Sequence, residues 1–159
     1  MPLSQASSDI RQIKDLLEIF FSCAKPLLGE IQFIITEPMN ADIFPDELGK
    51  MGDNRNGVYL ISSKNDHQII YVGISTDIPG RIYEHIGAGC TWSKSGNIAY
   101  FPNCALAEGR HWLDPKIQQI LYKAEWCVTA VFLTPVKVSR LIESLLIYMC
   151  EPEINVQRK

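Results

Sequence analysis

The sequence predicts a mixed α/β (α+β) domain built on a small sheet and preceded by a helical N-terminal extension. Three observations carry this prediction. Residues 57–75 hold two short apolar runs, GVYLISS and IIYVGIS, joined by a polar turn, the pattern of a β-hairpin. An amphipathic helical stripe precedes the hairpin, and segments with helix-starting signals follow it. The 159 residues are 47% apolar and 21% charged, enough to bury one core in a soluble domain.

The elements follow in order. Over residues 8–28, Ile10, Ile13, Leu16, Leu17, Phe20 and Ala24 recur at helical spacing, Ser8 or Asp9 supplies the cap, and Pro26 and Gly29 mark the end. IQFIIT at 31–36 reads as a short strand. Residues 37–57, rich in Pro, Gly, Asn and Asp, read as a loop. The hairpin turns around Lys64-Asn65-Asp66. TDIPGRIYEHIG reads as a helix capped by Thr76 or Asp77, with Pro79 tolerated in its first turn. Residues 87–112 read as loop. LDPKIQQILYKAEW opens with Asp114-Pro115, a cap and a first-turn proline. WCVTAVFL at 126–133 is rich in β-formers and predicts a further strand. Thr134-Pro135 opens a last helix that Pro152 stops, with the tail EINVQRK extended against the body. The resulting division is a helical extension and linker over 1–56 and a main domain over 57–159, with a loop-rich insertion at 87–114.

Charge and cysteine usage narrow the function. The net charge of −3 is no global signature of a nucleic-acid binder. It is unevenly spread: residues 1–70 hold six Lys/Arg against ten Asp/Glu, and residues 71–159 hold nine against eight. A polyanion is therefore expected to meet the second half. Cys23, Cys90, Cys104, Cys127 and Cys150 are odd in number and never spaced C-x-x-C. With no leader-like N-terminus and no apolar run long enough to span a bilayer, they predict reduced thiols in a cytoplasmic protein.

The candidate chemistry starts in the hairpin. Strand side chains alternate between faces, so a turn of three or five residues puts Tyr59 and Tyr71 on one side, and two or four residues puts them on opposite sides. Gly73 leaves room beside Tyr71 for a ligand or another backbone. Arg81 and His85 are one helical turn apart and share a face. Arg81 offers a fork of donors suited to phosphate, and His85 can relay a proton near neutral pH. Glu143 sits inside the apolar run LIESLLI. A carboxylate there must reach water, pair with a cation such as Arg140, or bind a metal. Mg²⁺ suits a lone carboxylate because it keeps most of its hydration shell.

Gly57-Val58-Tyr59, Tyr71-Val72-Gly73, Arg81, Glu143 and Asn155, in that order, resemble the GIY-YIG nuclease family over residues 57–155. The resemblance implies a three-stranded antiparallel sheet flanked by helices, and hydrolysis of DNA phosphodiester bonds with one divalent ion, Mg²⁺ or Mn²⁺. It implies that Glu143 holds the metal and that Arg81 binds the scissile phosphate. Tyr59 would be the general base, Tyr71 would position the nucleophile or phosphate, and His85 would assist proton transfer. Gly57, Gly73 and Asn155 would support the architecture. The sequence departs from the family where Ile74-Ser75-Thr76 follow Gly73 in place of a cation, unless Lys64, Lys94 or Arg110 replaces it. The insertion offers Trp92, Tyr100 and Trp112 for stacking, and Lys94, Arg110 and His111 for phosphate or base contacts. His85, Cys90, Cys104 and His111 fit no common zinc spacing. Rival expectations are a DNA-binding module of the same fold that cuts weakly or not at all, and a metal-free partner-binding protein. The sequence leaves the target site and the oligomeric state open, a homodimer included.

Overall fold

Strand β3 (Gly57–Ser63) forms the middle of the structure because it is apolar on both sides: every one of its residues is buried. The computed structural model describes residues 9–40, 55–86, 115–116, 120 and 125–156, without the side chains of 83–86 and 156. Around β3 it places α1 (Ile10–Leu28), β1 (Gln32–Ile35), β2 (Met39–Asn40), β4 (Ile69–Ser75), α2 (Ile78–Ile86), β5 (Trp126–Thr134), α3 (Val138–Cys150) and α4 (Glu153–Val156). The strands make one antiparallel sheet in the order β1-β5-β3-β4, with β2 also on β5. The sheet therefore has five strands, not three. β5 is nine residues long, and its side away from β3 takes β1 opposite Val131–Thr134 and β2 opposite Cys127–Val128. Between those two pieces, Thr36 satisfies the β5 backbone: its hydroxyl accepts from Ala130 N (2.9 Å) and its own N–H donates to Ala130 O (2.9 Å).

Both faces of the sheet are covered. On one, Tyr59, Ile61, Tyr71, Val128, Ala130 and Phe132 pack with Ile78 and Ile82 of α2 and Ile154 of α4. On the other, Val58, Leu60, Val72, Val131 and Leu133 pack with Ile13, Leu17 and Phe21 of α1 and Ile142 and Leu146 of α3. The helical stripe of α1 is as expected, with Phe21 more deeply buried than Phe20. Phe21 turns to the sheet and lies against Phe33, with ring centroids 4.4 Å apart. Asp9 is the cap: its carboxylate accepts from Arg11 N (2.9 Å). Ile10 N donates to His67 O (3.0 Å), which ties the start of α1 to the hairpin turn.

Some boundaries differ from the sequence reading. Pro26 lies inside α1, which runs on to Leu28, and Gly29 at φ 74° closes it. The last long helix starts at Val138 because Pro135 and Val136 are used in the preceding turn, whose carbonyls accept from Val138 N and Ser139 N. The tail is a helical turn at Glu153–Val156, not extended chain, closed by Asn155 N to Pro152 O (3.0 Å). Pro115, Lys116 and Ile120 are helical, in line with the expected helix, and Lys116 forms an ion pair with Asp66 in the hairpin turn. No described helix is long and apolar enough to cross a membrane.

Candidate active site

The site begins with a register decision. Ser63 N donates to Gln68 O (2.9 Å), leaving a four-residue loop, Lys64 to His67. Counted from that loop alone, Tyr59 and Tyr71 would fall on opposite faces. The register shifts between Ile61 and Ser62: Ser62 opposes Ile69, but Ile61 opposes Tyr71, so Ile70 is an extra residue. Such a bulge reverses the alternation beyond it. Ile70 and Tyr71, consecutive in sequence, consequently pack in the same cluster, and both phenols share one face. They are diagonal neighbours, not directly opposed: the residue opposite Tyr59 is Gly73. The rings are tilted by 49° with centroids 5.9 Å apart.

Gly73 is required by this arrangement. A Cβ there would lie 2.5 Å from the Tyr59 hydroxyl oxygen and 2.8 Å from the Tyr71 ring. Any other residue would displace the phenol. At Gly57 a Cβ would collide with the Val131 carbonyl and lie 3.0 Å from Phe132 Cα, so this glycine permits close approach of β3 to β5.

Arg81 enters from α2. Asp77 sets this helix: its carboxylate accepts from Gly80 N (3.2 Å) and from Arg55 Nε (2.7 Å), and Ile78 N donates to Arg55 O (2.9 Å). Arg81 is half-buried and hydrogen-bonds the Tyr59 hydroxyl, which also bonds the Tyr71 hydroxyl. Burial pushes the Tyr59 phenol well above the ordinary range, and the neighbouring Tyr71 adds to this. The Arg81 guanidinium opposes the rise without cancelling it. Tyr59 is thus a proton-bearing group here.

Asn155 acts at the sheet edge. Its side-chain amide accepts from Val72 N and donates to Val72 O, both at 2.8 Å. One side chain thereby replaces a missing strand on β4, between Tyr71 and Gly73.

Glu143 is half-buried on α3. This helix packs on the face opposite the phenols, and Glu143 flanks its buried stripe one turn after Ser139. Among the described residues, no three His, Cys, Asp or Glu side chains gather as a metal cage. A single carboxylate suits a largely hydrated Mg²⁺ but not zinc. His85 follows Arg81 by one turn of α2, with its side chain outside the description. Trp92, Lys94, Tyr100, Arg110, His111 and Trp112 lie outside the described residues. Lys64 is exposed at the hairpin tip, at the other end of β3 from Gly57.

The residues that sequence reasoning missed here are Arg55 and Asn56. Asn next to Gly reads as turn chemistry, and nothing in the spacing announces its long-range partners.

Residues 55–114 match the family model of the GIY-YIG catalytic domain, the nuclease family that the motif pattern resembles. The matched stretch contains Tyr59, Tyr71, Arg81 and His85, while Glu143 and Asn155 lie beyond it. Neither the search of curated proteins nor that of solved structures gave a match.

Proposed function

We propose that this protein is a divalent-metal-dependent endonuclease that hydrolyses DNA phosphodiester bonds. The observation that carries the reading is the hydrogen-bonded group of Tyr59, Tyr71 and Arg81 beside Gly73, inside the stretch that matches the family model.

Arg81 spends part of its donor fork on the Tyr59 hydroxyl. A guanidinium is suited to a non-bridging phosphate oxygen, where negative charge grows as water attacks. Tyr71 and Tyr59 orient the water through their hydroxyls. Tyr59 acts as base only when positive charge near it offsets the effect of burial. Glu143 would hold a divalent ion, which when bound would neutralise charge on the leaving oxygen. His85, one turn after Arg81 in the sequence, would carry the proton onward. Gly73 leaves room for the buried Tyr59 phenol, and Asn155 holds the edge of β4 at Val72, beside Tyr71.

One observation favours the rival of a binding module: Ile74, Ser75 and Thr76, none of them cationic, follow Gly73. Incubating the protein with supercoiled plasmid and Mg²⁺ or Mn²⁺, beside Glu143→Ala and Arg81→Ala, separates the two. Nicking by the parent alone is the expected result. Tight DNA binding with no nicking by the parent would replace the nuclease with the module.

A further inference from the structure

Arg55 and Asn56, the two residues ahead of Gly57, fasten the two helices of the candidate site to the strand that carries Tyr59. Successive residues along an extended chain point to opposite faces, and these two follow the rule. Arg55, in phase with Tyr59, reaches the α2 side: its Nε donates to Asp77 Oδ1 (2.7 Å), and its carbonyl accepts from Ile78 N (2.9 Å). Asp77 caps the helix on which Arg81 sits one turn later. Asn56, in phase with Val58 and Leu60, reaches the α3 side. Its Nδ2 donates to Ser139 Oγ (3.0 Å) and to Leu133 O (3.1 Å), and its carbonyl accepts from Leu133 N (3.0 Å). Ser139 is fully buried, and Glu143 follows it by one turn on the same side of α3.

We infer that Arg55-Asn56 is a two-sided clamp of positioning residues, setting where Arg81 and Glu143 stand relative to Tyr59 and to each other. α2 and α3 lie on opposite faces of the sheet, so packing within either cluster does not fix one helix against the other. The clamp does so through directional bonds at a single point. Asn56 is 7% exposed, and its hydrogen bonds act where water does not compete. The inference rests on the nuclease reading for its functional consequence and on geometry alone for its structural one.

The test labels the full chain with ¹³Cζ-tyrosine and ¹³Cδ-glutamate and reads the Tyr59 and Glu143 signals by NMR, alongside plasmid cleavage. Ser139→Ala removes one acceptor of Asn56, and Asn56→Ala removes the donor. Arg55→Gln removes the charged partner of Asp77. Ile13→Val, in the core beneath α1, is a mildly destabilised control. Ser139→Ala and Asn56→Ala are expected to move the Glu143 signal and leave that of Tyr59, whereas Arg55→Gln does the reverse. The control should move neither. Each clamp variant should lower kcat on the order of 10- to 100-fold with KM nearly unchanged, the effect of a small misplacement of reacting groups. Should Asn56→Ala fail to fold, Ser139→Ala decides that arm. Unmoved signals in folded variants, or equal movement in Ile13→Val, overturn the clamp. A parent that does not cut DNA overturns the nuclease reading instead, and the NMR signals still decide the clamp.

Discussion

The two faces of the sheet are cut from the same strands and serve different ends. Beneath α1 and α3, Val58, Leu60, Val72, Val131 and Leu133 meet the apolar side chains of the two helices. Beneath α2 the same strands turn out Tyr59 and Tyr71, and the Tyr59 hydroxyl bonds both Tyr71 and Arg81. Gly73 on that face replaces a side chain with room for the Tyr59 phenol. Both faces are buried, but the one beneath α2 also holds two phenols and a guanidinium at fixed points. The lesson is that stability and chemistry can be separated by one step along a strand, because alternate residues face opposite ways.

The separation is sharpest in how each face should respond to substitution. Tyr59→Phe removes only a hydroxyl and should lower the cleavage rate on the order of 10²- to 10⁴-fold, with a far-UV CD spectrum like the parent's. A rate within a few-fold of the parent would remove Tyr59 from the chemistry. On the other face, Leu17→Ala should cost about 2–5 kcal/mol in a urea titration while leaving the rate per folded molecule unchanged. Loss of rate by the folded variant would mean that the faces are coupled.

Two smaller effects refine the contrast. Thr129, on the α1 and α3 face opposite Leu60, has a buried hydroxyl with no hydrogen-bond partner among the described residues. Thr129→Val should therefore raise the melting temperature, by an amount matching about 1 kcal/mol. A lower melting temperature would show that the hydroxyl is satisfied. Asp9, at the start of α1, has its carboxyl lowered from 3.8 to about 2, chiefly by the Arg11 side chain hydrogen-bonded to it. A depressed carboxyl contributes stability above its unfolded pKa and loses it as pH falls through the folded one. Between about pH 4 and 2, the parent should lose up to roughly 1 kcal/mol more than Asp9→Asn, which keeps the cap without the charge. Parallel pH curves for the two proteins would contradict this.

Much of the fold was legible from local pattern. The stripe Ile10, Ile13, Leu17 and Ala24 announced α1, a cap at Thr76 or Asp77 announced α2, and the β-rich run from Trp126 announced β5. These signals are legible because helix and strand periodicities are written in adjacent residues. The three-stranded expectation failed because β1 and β2 are defined by the length of β5, which offers a second edge for them to pair with. The extended tail failed because Asn155 makes its bonds to Val72 from within a helical turn.

The sequence by itself determined the types and order of the candidate groups: two phenols near glycines, an arginine on the next helix, and an acid on a late one. Only the tertiary structure decided that the phenols share a face, because a single extra residue at Ile70 reverses the alternation the loop would give. Only it tied α2 and α3 to the start of β3, through Arg55 and Asn56. Periodicity is a property of neighbours in the chain. Parity across a bulge and hydrogen bonds across 83 residues, as from Asn56 to Ser139, are properties of the assembled sheet.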